Sequence, residues 1–227
     1  MKLELLNILR CPKSQQRLTF ESDILVSEDR KYKYLVENGI PRFVEKNNYS
    51  DSFGMQWNIY SKTQLDSYSG LNISSSRFWK ATGWSESEMK DKWVLDVGCG
   101  SGRFAEIALL AGAKVVALDY SSAVDACNNN FLNHPNLFVI QGDIYELPFE
   151  LETFSYIYSL GVLQHTPNPK KAFNSLPPVL KKEGKICVDY YEKSFKSMFL
   201  PKYWLRPITK RMSNQNLFIF LQKSTPF

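Results

Sequence analysis

The stretch from Val94 to Gly102 constrains this chain more than any other. Val94-Leu95-Asp96-Val97 is an apolar run closing on an acid, and glycines follow at 98, 100 and 102. An apolar run that passes into alternating glycines reads as a strand entering a tight turn against a ligand. Without Cβ atoms, Gly98, Gly100 and Gly102 can take positive φ and bring the backbone, Cys99 included, against a bound group. The helix that follows then starts with its N–H groups aimed at the same space. Spacing alone also fits an ordinary glycine turn between a strand and a helix, so the decision rests on what comes later in the chain.

Two more acids follow at strand ends. Lys114-Val115-Val116-Ala117-Leu118-Asp119 reads as a second buried strand, and Asp119 stands close to the spacing at which a carboxylate accepts the hydroxyls of a cofactor ribose. A third strand, Leu137-Phe138-Val139-Ile140, runs into Gln141-Gly142-Asp143-Ile144. There Asp143 would accept from an adenine amine while Ile144 and Tyr120 pack on the ring. Recognition of a pyrophosphate is disfavoured. The sixth position of a G-x-G-x-x-G fingerprint is Arg103, and no Gly-Lys-Ser/Thr tripeptide occurs.

With these residues in place, the chain resembles the class I S-adenosylmethionine-dependent methyltransferases. Leu95 through Gly102 matches their first motif, and Leu118-Asp119-Tyr120-Ser121 carries the second acid. Gly142-Asp143 with Leu147-Pro148-Phe149, and Ser159-Leu160-Gly161-Val162-Leu163-Gln164-His165, complete a resemblance over about residues 50 to 192. It implies an α/β fold, a Rossmann-like doubly wound and mainly parallel sheet, with S-adenosyl-L-methionine as cofactor. It further implies that Asp96 and the glycine loop (Gly98, Cys99, Gly100, Gly102) hold the methionine end, Asp119 the ribose, and Asp143 with Ile144 the adenine. Backbone carbonyls near Ser159 and Leu160 would finish the methionine pocket. A sulfonium methyl is already electrophilic, so holding donor and acceptor in line needs neither a metal nor a covalent nucleophile.

The chain departs from the family in three places. Phe154-Ser155 stands where Phe-Asp is usual, and Lys182-Glu183-Gly184-Lys185 replaces a Pro-Gly-Gly turn. After the fifth strand only Leu217-Phe218-Ile219-Phe220-Leu221 reads as a further strand, so the C-terminal strands are expected to be incomplete or the form shortened.

Strand-like runs at 93–97, 114–119, 137–140, 154–159 and 185–190 alternate with helical patterns at about 103–111, 121–133 and 169–181, the signature of parallel βαβ units. The cofactor-binding core is placed at residues 93–192. Residues 46–92 are rich in aromatic and polar side chains and form a helical cap, where Tyr60 and Gln64 are acceptor-site candidates. Phe78 and Trp79 are read as packing. His165, just after the fourth strand, is a candidate general base for a hydroxyl or amine acceptor. Equally, it would order its loop by hydrogen bonding. His134, beside Pro135, reads as surface.

Residues 1–45 are a separate unit. Ile8-Leu9-Arg10-Cys11-Pro12-Lys13-Ser14 and Tyr34 through Pro41 resemble the small zinc-ribbon-like domain that activates some RNA and protein methyltransferases. Ser14 stands where that family has its second cysteine, and the second knuckle falls near Ser27 and Arg30. Four N or S ligands are needed, so a metal-free mini-sheet is expected, with Asn38-Gly39 as a turn.

Residues 193–227 are a basic aromatic tail. From Ile186 to the end, seven Lys or Arg face Asp189 and Glu192, a balance that accounts for the whole chain's net charge of +5. Such a segment suits weak contact with an anionic membrane or with nucleic acid. A packed, solvated helix is the simpler reading. The four cysteines have no close pairing and read as free thiols. With no apolar run of membrane length and no signal-peptide pattern, a cytoplasmic protein is expected. The expected activity is methylation of a small-molecule or lipid-linked acceptor. RNA or protein methylation and a non-catalytic partner role are the alternatives, and the sequence does not speak to oligomeric state.

Overall fold

The computed structural model describes residues 1–45 and 51–190, together with Arg211, Met212 and Asn216. Met1–Tyr190 forms one unit. The expected strand at Leu217–Leu221 and the tail, apart from those three residues, lie outside the described residues.

The chain opens with helix α1 (Leu3–Ile8) and an antiparallel meander, β1 (Leu18–Glu21), β2 (Ile24–Ser27), β3 (Lys33–Glu37) and β4 (Ile40–Pro41). Asn38 and Gly39 connect the last two strands with φ of 53° and 78°. Positive φ at both central residues is the hairpin turn whose twist matches the strands. Four short helices follow: α2 (Asp51–Ile59), α3 (Asp66–Ser69), α4 (Ile73–Thr82) and α5 (Glu86–Met89).

The remainder alternates strand and helix: β5 (Trp93–Val97), α6 (Ala105–Leu110), β6 (Lys114–Asp119), α7 (Ala123–Asn130), β7 (Leu137–Gln141), β8 (Phe154–Ser159), α8 (Pro169–Asn174) and β9 (Leu180–Val188). The five strands are parallel in the order β7-β6-β5-β8-β9. The order reverses between β5 and β8, and ligands of such sheets bind beyond the carboxyl ends of the strands at that point.

Successive strand residues face opposite sides, and the sheet is apolar on both. Val94, Val115, Ala117, Val139, Tyr156 and Tyr158 pack against the cap and α6–α7, where Phe78 meets Tyr158 edge-on at 5.0 Å between centroids. Leu95, Val97, Val116, Leu118, Phe138, Ile140 and Ile157 pack on the other side against Leu5 of α1, Leu9, and Leu25 and Val36 of the N-terminal meander, and against Ala172 and Leu176. The small N-terminal sheet therefore covers one face of the large one.

The helices are shorter than the sequence patterns. The one expected over 103–111 starts at Ala105, and the one expected over 121–133 spans Ala123–Asn130. The helix expected over 169–181 stops at Asn174. Pro177 and Pro178 cannot donate to a continuing helix, and residues Pro177–Val179 form a 3₁₀ turn instead. The strand expected over 185–190 accordingly begins at Leu180 and ends at Val188. Phe154 pairs with Leu180 but Tyr156 pairs with Lys185, so extra residues of β9 bulge out, and Lys182–Lys185 lies within a strand rather than a turn. Gly184 permits the bulge, since a Cβ there would lie 2.7 Å from the Leu180 side chain.

Among the described residues no group of three or more His, Cys, Asp or Glu is arranged to hold a metal. The Cys11 thiol lies 3.3 Å from the Tyr34 hydroxyl, and Ser27 Oγ donates to Asp29 at 2.7 Å. Likewise, no described helix is long and apolar enough to cross a membrane.

Candidate active site

The glycine turn is stitched to the end of β6. The N–H groups of Gly98 and Cys99 donate to the Leu118 carbonyl at 2.7 and 3.1 Å, and the Gly100 N–H donates to Asp119 Oδ2 at 2.9 Å. Gly98, Gly100 and Gly102 have φ of 81°, 54° and 95°. Space and conformation both demand glycine at 98. A Cβ there would lie 2.4 Å from Val162 Cγ1, which brings the loop after β8 against the turn. The Trp57 indole of α2 lies against Gly100, with Nε1 3.2 Å from where a Cβ would stand.

Asp119 is more heavily engaged than the sequence reading assigned. Its Oδ1 accepts both the Ser121 N–H at 2.8 Å and the Ser121 hydroxyl at 2.7 Å. With Gly100 on Oδ2, three of a carboxylate's roughly four acceptor positions are filled. One position on Oδ2 remains, not a pair for two ribose hydroxyls, because Ser121 two residues on closes a local turn onto the acid.

Asp96 is the opposite case. Its side chain is 2 % exposed and Oδ2 has no hydrogen-bond partner; the nearby Tyr158 hydroxyl is also buried without one. Burial pushes the Asp96 carboxyl up to about 8, against the pull of Tyr158. A buried carboxyl with one oxygen left without a partner beside a glycine cradle fits a cationic amino group.

At the end of β7, Asp143 is half-buried and accepts the Tyr145 N–H at 2.9 Å. Burial raises its carboxyl, and burial together with the Asp143 charge raises the Tyr120 phenol. Tyr120 and Asp143 thus lie near each other at neighbouring strand ends. Ile144 sits within the apolar cluster on the N-terminal-sheet side.

Ser159 spends its hydroxyl on the Val97 carbonyl at 2.8 Å, joining β8 to β5, and Leu160 is buried. Asp189, just past β9, accepts from Arg77 Nη2 at 2.7 Å and from the Gly161 N–H, fastening α4 to the loop that follows Leu160. His165 is exposed at the end of a 3₁₀ turn, Leu163–His165, its ring 5.6 Å from Phe53 of α2. Beside it, the amide N and O of Gln164 are buried without partners. Tyr60, just past α2, is 42 % exposed.

The cap is locked to the glycine loop by residues that sequence reasoning missed. Glu106, 4 % exposed in the first turn of α6, accepts the N–H of Asp66 at 2.8 Å. Asp66 in turn accepts the N–H groups of Ser74 and Ser75 at 2.9 and 2.8 Å, capping α4. Arg103 Nε donates to Ser74 Oγ at 2.9 Å, with its Nη1 at 3.5 Å from Gln64. A charge inside Phe104-Ala105-Glu106-Ile107-Ala108 was the available signal for Glu106.

A glycine turn at the switch point of a parallel sheet, with acids at or just past the ends of the next two strands, is the arrangement of a Rossmann-like fold. Residues 95–188 match the family described as a methyltransferase domain, which supports the class I S-adenosylmethionine-dependent methyltransferase that the sequence resembles. Its cofactor is S-adenosyl-L-methionine. The chain is 31% identical over 106 residues to a tRNA U34 carboxymethyltransferase of Ruthia magnifica, covering 44% of this chain and 33% of that protein. It is also 31% identical over 111 residues to a ubiquinone biosynthesis O-methyltransferase of Coxiella burnetii, covering 48% of this chain and 47% of that protein. The chain thus spans less than half the length of these relatives. A crystal structure from Methanococcus maripaludis, described as a candidate S-adenosylmethionine-dependent methyltransferase, shares the fold with TM-score 0.50 and 21% identity, over 79% of this chain and 85% of that one.

Proposed function

We propose that this chain transfers a methyl group from S-adenosylmethionine to a small-molecule or lipid-linked acceptor. The buried Asp96 carboxyl beside the glycine turn, one oxygen of which has no hydrogen-bond partner, carries the donor half of this reading. In it, Asp96 and the N–H groups of the turn hold the methionine end, with Ser159 and Leu160 as its far wall. Asp119 offers its one remaining acceptor position to the ribose, and Asp143, Tyr120 and Ile144 take the adenine. When bound, the cofactor supplies an electrophilic sulfonium methyl; the protein's task is to align the acceptor and exclude water.

The acceptor half rests on the cap. Phe53, Ile59, Tyr60, Tyr68, Leu71 and Ile73 are all large apolar or aromatic side chains left exposed between 42 and 67 %. Exposed apolar side chains in this segment are available to an apolar acceptor, and the resemblance to a ubiquinone biosynthesis O-methyltransferase accords with one. His165 faces this region through Phe53 and serves as the base for a hydroxyl or amine. Similarity to a tRNA-modifying enzyme supports a second reading, RNA methylation. Incubation of the protein with tritiated methyl donor and a cell extract distinguishes them. Label in the organic-soluble or small-molecule fraction is expected, and label in RNA alone would overturn the acceptor class.

A further inference from the structure

We propose that Arg42, in the N-terminal sheet unit, is a positioning residue for the adenosine end of the donor site, an inference that rests on the donor-site reading above. Arg42 directly follows β4, and its side chain is only 10% exposed. Its guanidinium reaches one helix and one strand of the larger unit. Nη2 pairs with Asp125, in the first turn of α7, at 2.5 Å, and Nη1 donates to Gln141 Oε1 at 2.9 Å. On its own side, Nε stands 3.7 Å from Glu37 Oε2.

Gln141 carries the connection onward. It ends β7, is 4 % exposed, and donates from Nε2 to the Tyr120 carbonyl at 3.1 Å. Accepting from Arg42 and donating to Tyr120 fixes which way the amide points, because each end of an amide has only one role. The backbone follows the same route: the Phe43 N–H donates to the Gln141 carbonyl at 2.8 Å, and the Gly142 N–H donates to the Asp119 carbonyl at 2.9 Å. Tyr120 directly follows Asp119, and Asp143 lies two residues beyond Gln141. Arg42 therefore sets the mutual placement of the two strand ends that would flank ribose and adenine, and the N-terminal sheet forms part of donor binding.

Removing the guanidinium leaves Gln141 Oε1 and the Asp125 carboxylate unpaired and frees the amide to turn over. Loss of such charge-assisted contacts weakens what they organise by about tenfold. Two ligands separate a loss at the adenosine end from one at the amino-acid end, S-adenosylhomocysteine and 5′-methylthioadenosine, which lacks the amino-acid end, and Tm reports a general structural effect. By calorimetry on the full chain, Arg42→Met is expected to weaken both by the same factor, about tenfold. Asp96→Asn, by contrast, should weaken S-adenosylhomocysteine alone. Gln141→Glu keeps an acceptor for Arg42 but cannot donate to Tyr120. It should reproduce the loss for both ligands without lowering Tm, which covers the case of Arg42→Met failing to fold. If the wild-type protein binds both ligands and Gln141→Glu binds them equally well, the inference is overturned. A wild-type protein that binds neither overturns the donor-site reading and this inference with it.

Discussion

Asp119 Oδ2 accepts the Gly100 N–H at 2.9 Å, so the acid that ends β6 holds the glycine turn in shape. Its Oδ1 is taken up by Ser121. Asp119→Ala should therefore do more than delete one ligand contact, because it also releases the turn. Donor affinity measured by calorimetry is expected to fall at least tenfold, about 1.4 kcal/mol or more, with a lower Tm. An Asp119→Ala protein with wild-type affinity and Tm would contradict this.

Donor binding should release a proton. Burial raises the Asp96 carboxyl to about 8, so at pH 7 the unliganded site holds it mainly protonated. A cationic amino group placed against it favours the carboxylate. Calorimetry in buffers of different ionisation enthalpy should then report proton release between about pH 4 and pH 8, and Asp96→Asn should abolish it. The same group has a stability consequence. The folded state keeps a proton that the unfolded chain loses near pH 3.9, so its contribution to stability declines as pH rises from about 4 towards 8. Asp96→Asn should flatten that part of the profile of Tm against pH.

Gly98→Ala should damage the site through two separable costs. One is the positive φ of 81°, and the other is contact with Val162. Together they are expected to cost about 2 to 4 kcal/mol in chemical denaturation. Adding Val162→Ala should recover only the steric share. Full recovery in the double variant would show that φ costs nothing there.

His165 is placed to act on the acceptor and not on the donor. His165→Ala is expected to leave donor affinity within about threefold and to lower kcat by about 10²- to 10⁴-fold, the range of general-base catalysis. A normal kcat would make it a loop-ordering residue. Phe53→Ala should then disturb acceptor KM more than kcat.

The strand pattern around the glycine turn was legible because both faces of the large sheet are buried, which makes β5, β6, β7 and β8 short apolar runs with sharp ends. The last βα unit was not. Its limits follow from Pro177-Pro178 and from a bulge that only the pairing of β8 with β9 reveals. Among the site's groups, Asp96 and Asp119 announced themselves by position at strand ends. Glu106, Asp189 and Arg42 did not, because each acts on a partner far along the chain: Glu106 on Asp66, Asp189 on Arg77, Arg42 on Gln141. Spacing within one segment cannot show such pairs. The filling of Asp119 by its own neighbour Ser121 is a local turn that the motif alone did not disclose.

Binding of S-adenosylmethionine to the full chain, followed by titration calorimetry beside ATP as a control, tests the central claim most directly. One equivalent per chain is expected, displaced by S-adenosylhomocysteine, abolished in the Asp96→Asn/Asp119→Ala double variant, with no saturable binding of ATP. No saturable binding of S-adenosylmethionine, or binding that the double variant retains unchanged, would contradict the assignment of the donor site to the carboxyl ends of β5, β6 and β7.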